Sequence, residues 1–488
     1  MSGSPSDTVP LRRQLTWVTV AWLFGSYWSG TITGAAMTQF ARSLNTPDAG
    51  FGILGALPFL GALMQIPASY MLERYGRRKL TYLIAGCIGR LMWTLTAAIP
   101  WIMPGAAEWW WPAMLLAILV SWAAAHAATP AWMSWMSDLI PRRLRGRYFA
   151  VRNLASQPIA LLVTVGVGYA LDRTELLTQD HPDLMLKVTA AILAVAGLVG
   201  TLDILCFCFV RDNGPPPAQP STSDVLRRMW APMRDANFRK YLSFNFVFVL
   251  GTGFVGQYVW LYLFDVVGWS NWKANLLLLG VPLVIRMACY RMWGRMTDRL
   301  GNKPVLLITG AITALGSVGW MLITPERFWA GYLLVAFVTF GWPGLEIASF
   351  NYILNLAGNR RENNAARQAT AGSAYVALNS TIVAVAGILS GVFGSIIASG
   401  FADLYYPLPW LDTVLTYHGV LFLTSTVLRV LAMTWVVTLV EPEATGTRHA
   451  IRYMTAGFYS NARQAMLMPT RVIGRVARWG SRASTSRR

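Results

Sequence analysis

Six ionisable side chains stand inside long apolar runs: Arg90, Asp203, Arg286, Arg291, Glu346 and Arg429. His126 is a seventh group there, one that can be neutral or charged. An ion in hydrocarbon is costly and persists where a partner, a proton or a bound molecule compensates it, so each is a candidate for chemistry. Glu346 lies in Trp342-Pro343-Gly344-Leu345-Glu346, where Pro and Gly can unwind a helix locally. A carboxylate there can carry a proton, bind a cationic or hydroxylated molecule, or pair permanently with a cation. Arg286 precedes Asp298 by 12 residues and Glu346 precedes Arg360 by 14, so both lie a few turns from the same end of their runs. An Arg286–Glu346 ion pair is within reach. Tyr27, Trp28, Gln257, Tyr258 and Asn379 fall in mid-run, a lining that suits a sugar-like or mixed polar and aromatic molecule. Core packing accounts for each of these five equally well.

Other chemistries are poorly supplied. Cys87, Cys206, Cys208 and Cys289 are few and lie in apolar runs, which excludes a disulfide framework. Four histidines, with neither HExxH nor CxxC, give no metal centre, and no GxxxxGK[ST] loop is present to hold a nucleotide phosphate. No cofactor and no enzymatic reaction are expected.

The runs that must position these groups are too long and too apolar for a soluble protein. Of 488 residues 55% are hydrophobic and 13% charged, against about a quarter charged in soluble domains. Twelve runs between residues 15 and 440 each reach about 20 residues, the length that crosses the hydrocarbon layer as a helix. The expected fold is an all-α membrane protein of twelve transmembrane helices in two six-helix bundles, 15–210 and 241–440, joined by a loop at 211–240. Residues 1–14 form a short polar tail, and the run after it is too long for a cleaved signal.

The formal charge of +19 follows the same plan. Alternate segments hold Arg12 and Arg13; Arg74, Arg77, Arg78 and Lys79; Arg142, Arg143, Arg145, Arg147 and Arg152; and most of the remaining basic residues. The opposite segments hold only Arg42, Arg173, Lys187, Lys273 and Arg327. By the positive-inside rule both termini and the 211–240 loop are cytoplasmic, and the charge reflects topology rather than nucleic-acid binding. The large excess of Arg over Lys points to a GC-rich bacterial genome and hence an inner membrane.

A repeat joins the two halves. Ser69-Tyr-Met-Leu-Glu73-Arg74-Tyr-Gly76-Arg77-Arg78 follows the second run, and Gly294-Arg-Met-Thr-Asp298-Arg299-Leu-Gly301-Asn302-Lys303 follows the eighth. Ser69 to Gly294, Glu73 to Asp298 and Gly76 to Gly301 share one offset of 225. This resembles the G-x-x-x-D-R-x-G-R-R loop of the major facilitator superfamily. Asp138-Leu-Ile-Pro141-Arg-Arg-Leu-Arg145-Gly146 is similar to a second loop common in that family.

The resemblance implies a secondary transporter that moves a small solute by alternating access, with the loops as latches. Glu73 and Asp298 would accept from a neighbouring helix N-terminus in one conformer, and Asp138 would pair with Arg145 or reach the first latch. Spans one, four, seven and ten would line the cavity, which favours Glu346 and His126 and demotes Arg90, Asp203 and Arg429. Span five reads Ser156-Gln157-Pro158-Ile159-Ala160, without the Gly-Pro-x-x-Gly-Gly of drug–proton antiporters, and span one has no acid. A symporter or uniporter is expected first, with protons as a candidate coupling ion. The alternatives are an assembly or sensing factor without transport, and a lipid or drug exporter. In the tail, 441–488, Arg471, Arg475, Arg478 and Arg482 share a helical face beside Val472, Val476 and Trp479, fitted to anionic lipid headgroups. Nothing in the chain calls for a second copy, so a monomer is expected.

Overall fold

Residues 11–178, 180–212, 230–358, 365–409, 413–442 and 444–445 are described by the computed structural model. The 471–482 stripe and most of the 211–240 loop lie outside these residues, as do the side chains of Glu73 and Arg145. Span one is Leu11–Ile32 continued by Ala35–Ser43, and span two is Asp48–Ala62 continued by Gln65–Tyr75. Spans three to six are Arg78–Ile102, Trp110–Leu139, Arg142–Leu177 and Leu184–Leu205. Span seven begins at Ala236–Gly253 and resumes at Tyr258–Leu261, and span eight ends in Val281–Leu300. Spans nine to twelve are Asn302–Leu315, Phe328–Gly358, Ala365–Gly400 and Tyr417–Thr438. A two-stranded antiparallel hairpin, Tyr406–Leu408 with Thr413–Leu415, precedes span twelve.

Among the described residues eleven helices are long and apolar enough to cross a membrane. The twelfth is span one, whose apolar length is interrupted by Gln14, Thr16, Thr19, Ser26 and Ser29 and by the break after Ile32. Its polar residues are met by protein: Tyr148 donates to the Leu15 carbonyl at 2.9 Å, and the Gln14 side chain accepts from the Arg211 amide at 3.1 Å. Turns of π-helix at Tyr262–Val266 and Leu276–Gly280 interrupt spans seven and eight, a feature often found at functional positions.

The core divides along the membrane normal. At the end that carries the basic loops each half has its own core: Val18, Tyr82, Trp135 and Phe207 in the amino-terminal half, Phe238, Tyr241, Trp293 and Tyr352 in the other. At the far end the cores are shared. Trp28, Phe51 and Leu54 pack with Tyr258, Ala398 and Tyr417, and Ala35 and Leu171 with Val259 and Leu263. Leu116, Leu162, Leu333 and Val427 stay exposed on the outside, as a lipid-facing belt requires. The two halves therefore meet at the far end and part toward the basic end.

Candidate functional site

Span ten changes from buried to exposed along one face. Val335, Thr339, Glu346 and Phe350 are spaced 4, 7 and 4, a single helical stripe. Val335 and Thr339 are 5% and 4% exposed, whereas Phe350 is 55% exposed and the Glu346 side chain 40%. Glu346 thus stands where this face of span ten turns from buried to exposed. Its Oε1 accepts from Arg286 Nη2 at 2.8 Å, and its Oε2 accepts from the Tyr290 hydroxyl at 2.5 Å. Tyr290 lies one turn beyond Arg286 on span eight, a spacing that could have drawn attention to it in the sequence. Asn379 on span eleven accepts from Asn245 on span seven at 2.7 Å. His126, half-buried on span four, pairs through Nδ1 with the Gln65 amide at 2.9 Å and stacks near Trp122.

The remaining mid-span aromatics sit elsewhere. Trp28 is buried on the amino-terminal side of the shared core, edge-on to Trp93 and beneath the Arg90 guanidinium at 3.4 Å. Tyr27 packs against the shared far-end core. Tyr258 lies over Gly52, where a methyl would also strike Ser395 and the Gly391 carbonyl, and Gln257 lies beside Gly55. Both belong to the far-end closure.

That closure is polar as well as packed. Asp172 of span five accepts from the backbone amides of Asn271 at 2.6 Å and Trp272 at 3.2 Å, so a carboxylate of one half sits on a helix N-terminus of the other. Glu175 accepts from the Asn271 side chain at 3.1 Å, which in turn accepts from Gln39 at 2.7 Å. Asn275, one turn on, accepts from the Ala35 amide at 2.8 Å and donates to the Thr164 carbonyl at 3.0 Å. Ser395 donates to the Ala49 carbonyl at 2.6 Å, and Tyr417 to Asp48 at 2.7 Å. Arg42 pairs with Asp265. Among the described residues the hydrogen bonds and ion pair that join the halves all lie at this end. The sequence signals for it were slight: two acids near the end of span five and an Asn271/Asn275 pair at helical spacing.

At the basic end the loop residues bond within their own half. Arg78 donates to Asp212 and to Asp138, each at 2.5 Å. Lys79 reaches the carbonyls of Cys208 and Val210 at 2.9 and 2.8 Å, and Lys303 reaches those of Val437 and Leu439, both at 2.8 Å. Each lysine thereby closes the C-terminal end of the last helix of its half, where a cation is favoured. Glu441 adds bonds to Asn302 and to the Lys303 amide. Gly76 and Gly301 adopt φ of 65° and 89°, the left-handed region that a tight turn demands of glycine. Asp298, Arg299, Arg77 and Arg74 are exposed, Arg74 against the Tyr75 ring, and a methyl on Gly294 would meet nothing within 4 Å. No bond from Asp298 to another described residue is present.

Inside the amino-terminal half Arg90 donates to Asp203 at 2.9 Å. Arg152, grouped by sequence with the basic loop, is instead buried. Span five begins at Arg142, which carries Arg152 ten residues into the bundle among Trp22, Phe149 and Trp132 at 4.7, 4.8 and 5.5 Å. In the other half Arg429 is buried against Phe248 and donates to the Thr313 carbonyl at 2.8 Å, and Arg291 is exposed. Among the described residues no cluster of His, Cys, Asp or Glu could hold a metal ion.

The family model of the Major Facilitator Superfamily matches residues 20–391. No curated relative matches the sequence. Among solved structures, a mutant of the nucleoside transporter NupG superposes with a TM-score of 0.66 at 13% identity, covering 88% of this chain and 100% of that one. A D-xylose–proton symporter gives 0.62 at 17% identity, covering 88% and 97%. The inward-open xylose transporter XylE from E. coli gives 0.62 at 14% identity, covering 89% and 98%.

Proposed function

Since the chain belongs to the major facilitator superfamily, it is a multi-pass membrane transporter that moves solute by alternating access, and we propose that the solute is held in the cleft at Glu346, Arg286 and Tyr290. The observation that carries this is the span-ten stripe, which turns from buried to open at Glu346. A site at that depth is reachable from one side while the far end is closed, which alternating access requires. The carboxylate accepts from a guanidinium and a phenol, and a solute hydroxyl can exchange with either donor. With the polar pairs Asn245–Asn379 and Gln65–His126 as further lining candidates, the site suits a small hydroxylated solute of the sugar or nucleoside kind, the solutes for which the superposed transporters are named.

The basic end faces the cytoplasm, so this conformation is open inward, with both termini and the 211–240 loop inside. The membrane is a bacterial inner membrane, and the 441–488 tail rests on its anionic headgroups. The transporter acts as a monomer, and Glu346 is also the candidate carrier of a coupling proton. A cysteine placed at position 180 should react with impermeant reagent from outside and one at position 220 should not.

Proteoliposome uptake of labelled sugars and nucleosides tests the site. Glu346→Gln should cut uptake at least tenfold, and whatever exchange remains should ignore a pH gradient, because Gln keeps the shape and cannot titrate. Wild-type uptake in Glu346→Gln, with the wild-type response to pH, would sink both roles.

A further inference from the structure

A half-open space lies inside the amino-terminal bundle, and its lining includes none of Glu346, Arg286 and Tyr290. It measures about 270 Å³ and is walled by spans one, three, four, five and six, with Trp22, Arg90, Thr129, Trp132, Arg152 and Asp203 among its lining. Gly25 and Gly200 make room for its charges: a methyl on Gly25 would lie 2.8 Å from Asp203 Oδ2, and one on Gly200 2.9 Å from Arg90 Cδ. Two guanidinium groups thus face one cavity with one carboxylate.

The hydrogen bonds do not balance. Asp203 takes up one N–H of Arg90, and the buried Arg90 Nε has no partner among the described residues. Among the described residues Arg152 donates only to the side chain of its neighbour Asn153, at 3.1 and 3.3 Å, and is otherwise faced by aromatic rings. Asp203, already bonded to Arg90, is the one carboxylate in the lining for two guanidinium groups, so the cavity keeps a net positive charge, with Arg152 at 8% exposure. Removing an ion from water is repaid only when an opposite charge and hydrogen bonds replace it. The flat walls of Trp22 and Trp132 offer nothing to an inorganic anion but suit an apolar ring.

We infer that this cavity is a binding site for a small organic monoanion, a carboxylate carried on a single planar ring, with Arg152 and Arg90 taking the carboxylate and Trp22 and Trp132 the ring. The volume sits at the lower limit of small-molecule pockets, which restricts the occupant to about one ring. The site is separate from the cleft proposed for transport and is tested without transport.

The test is equilibrium binding of labelled benzoate to the full-length protein in nanodiscs, with benzamide and benzylammonium as same-shape controls. Benzoate should bind saturably and the controls should not. Arg152→Gln should weaken benzoate at least tenfold, and Arg152→Lys less. Asp203→Asn should tighten it, because the competing carboxylate is gone. Thr129→Phe, which fills the cavity and leaves every charge in place, should abolish binding even if the arginine variants fold poorly. Benzamide binding as well as benzoate, undiminished benzoate binding in Thr129→Phe, or benzoate that answers to Arg286→Gln instead of Arg152→Gln, each overturns the assignment.

Discussion

The two ends of the molecule are held together differently. At the far end, side chains of one half seek backbone of the other: Asp172 on the amides of Asn271 and Trp272, Asn275 on Ala35 and Thr164, Ser395 on Ala49. At the basic end, equally strong groups turn inward, with Arg78 on Asp212 and Asp138, and Lys79 and Lys303 on the last carbonyls of their own halves. The difference teaches that an acid over a helix N-terminus ties the halves at the end where they pack and not at the end where the described basic loops bond within their own half. The sequence repeat predicts that device at Glu73 and Asp298; Glu73's side chain lies outside the described residues, and among those described the geometry is met by Asp172, at the opposite face.

Breaking the far end should have the largest effect. Asn275→Ala removes two bonds across the halves and leaves the Ala35 amide unpaired whenever that end is closed, while the Thr164 carbonyl keeps the bond of its own helix. At about 1–3 kcal/mol for the stranded amide and about 1 kcal/mol for the second lost bond, the closed state should lose roughly thirtyfold or more in population. Reaction of Gln257→Cys with a reagent added from that side should rise accordingly. No rise would mean that packing at Gly52 and Gly391 alone seals the end. Asp172→Asn keeps the shape but offers one oxygen to two amides, weakening one bond and setting an NH2 donor against the other N–H, so the same labelling should rise about tenfold.

At the basic end the effects should be smaller. Lys303→Met removes a cation from a helix C-terminus at a cost of about 1 kcal/mol, read as a lower thermal unfolding midpoint. Lys79→Met should match it if the halves are equivalent there, and a clear inequality would break that symmetry. Asp298→Asn should leave unfolding unchanged, since the acid is exposed and unbonded to described residues here. Its effect should be a several-fold slower uptake from loss of a charge used in the other conformer. Unaltered uptake together with unaltered labelling on both faces would reduce the acid to part of a topology signal.

The span count, the turn glycines and the Glu346–Arg286 neighbourhood were legible because length, glycine and intramembrane charge each leave a mark in sequence. What escaped was long-range pairing. Trp28 reads as a mid-span aromatic until Arg90 is seen covering it, and Arg152 reads as loop charge until span five is seen to start at Arg142. Asp172, Asn271 and Asn275 look like ordinary polar residues at helix ends, because most of their partners are backbone groups that carry no residue identity. Tyr258 was placed at mid-depth by counting along a continuous helix, whereas span seven breaks after Gly253 and delivers it to the closure.

The lysine clasps bear on how the chain could be manufactured. Lys79 ties the start of span three to the residues after span six, and Lys303 with Glu441 ties span nine to the residues after span twelve. Each bundle is thus fastened end to middle by its own side chains, and neither clasp draws on the stretch at 213–229 that connects the two. The halves, encoded as separate polypeptides and made together, should find each other in the membrane and dock through the far-end contacts alone.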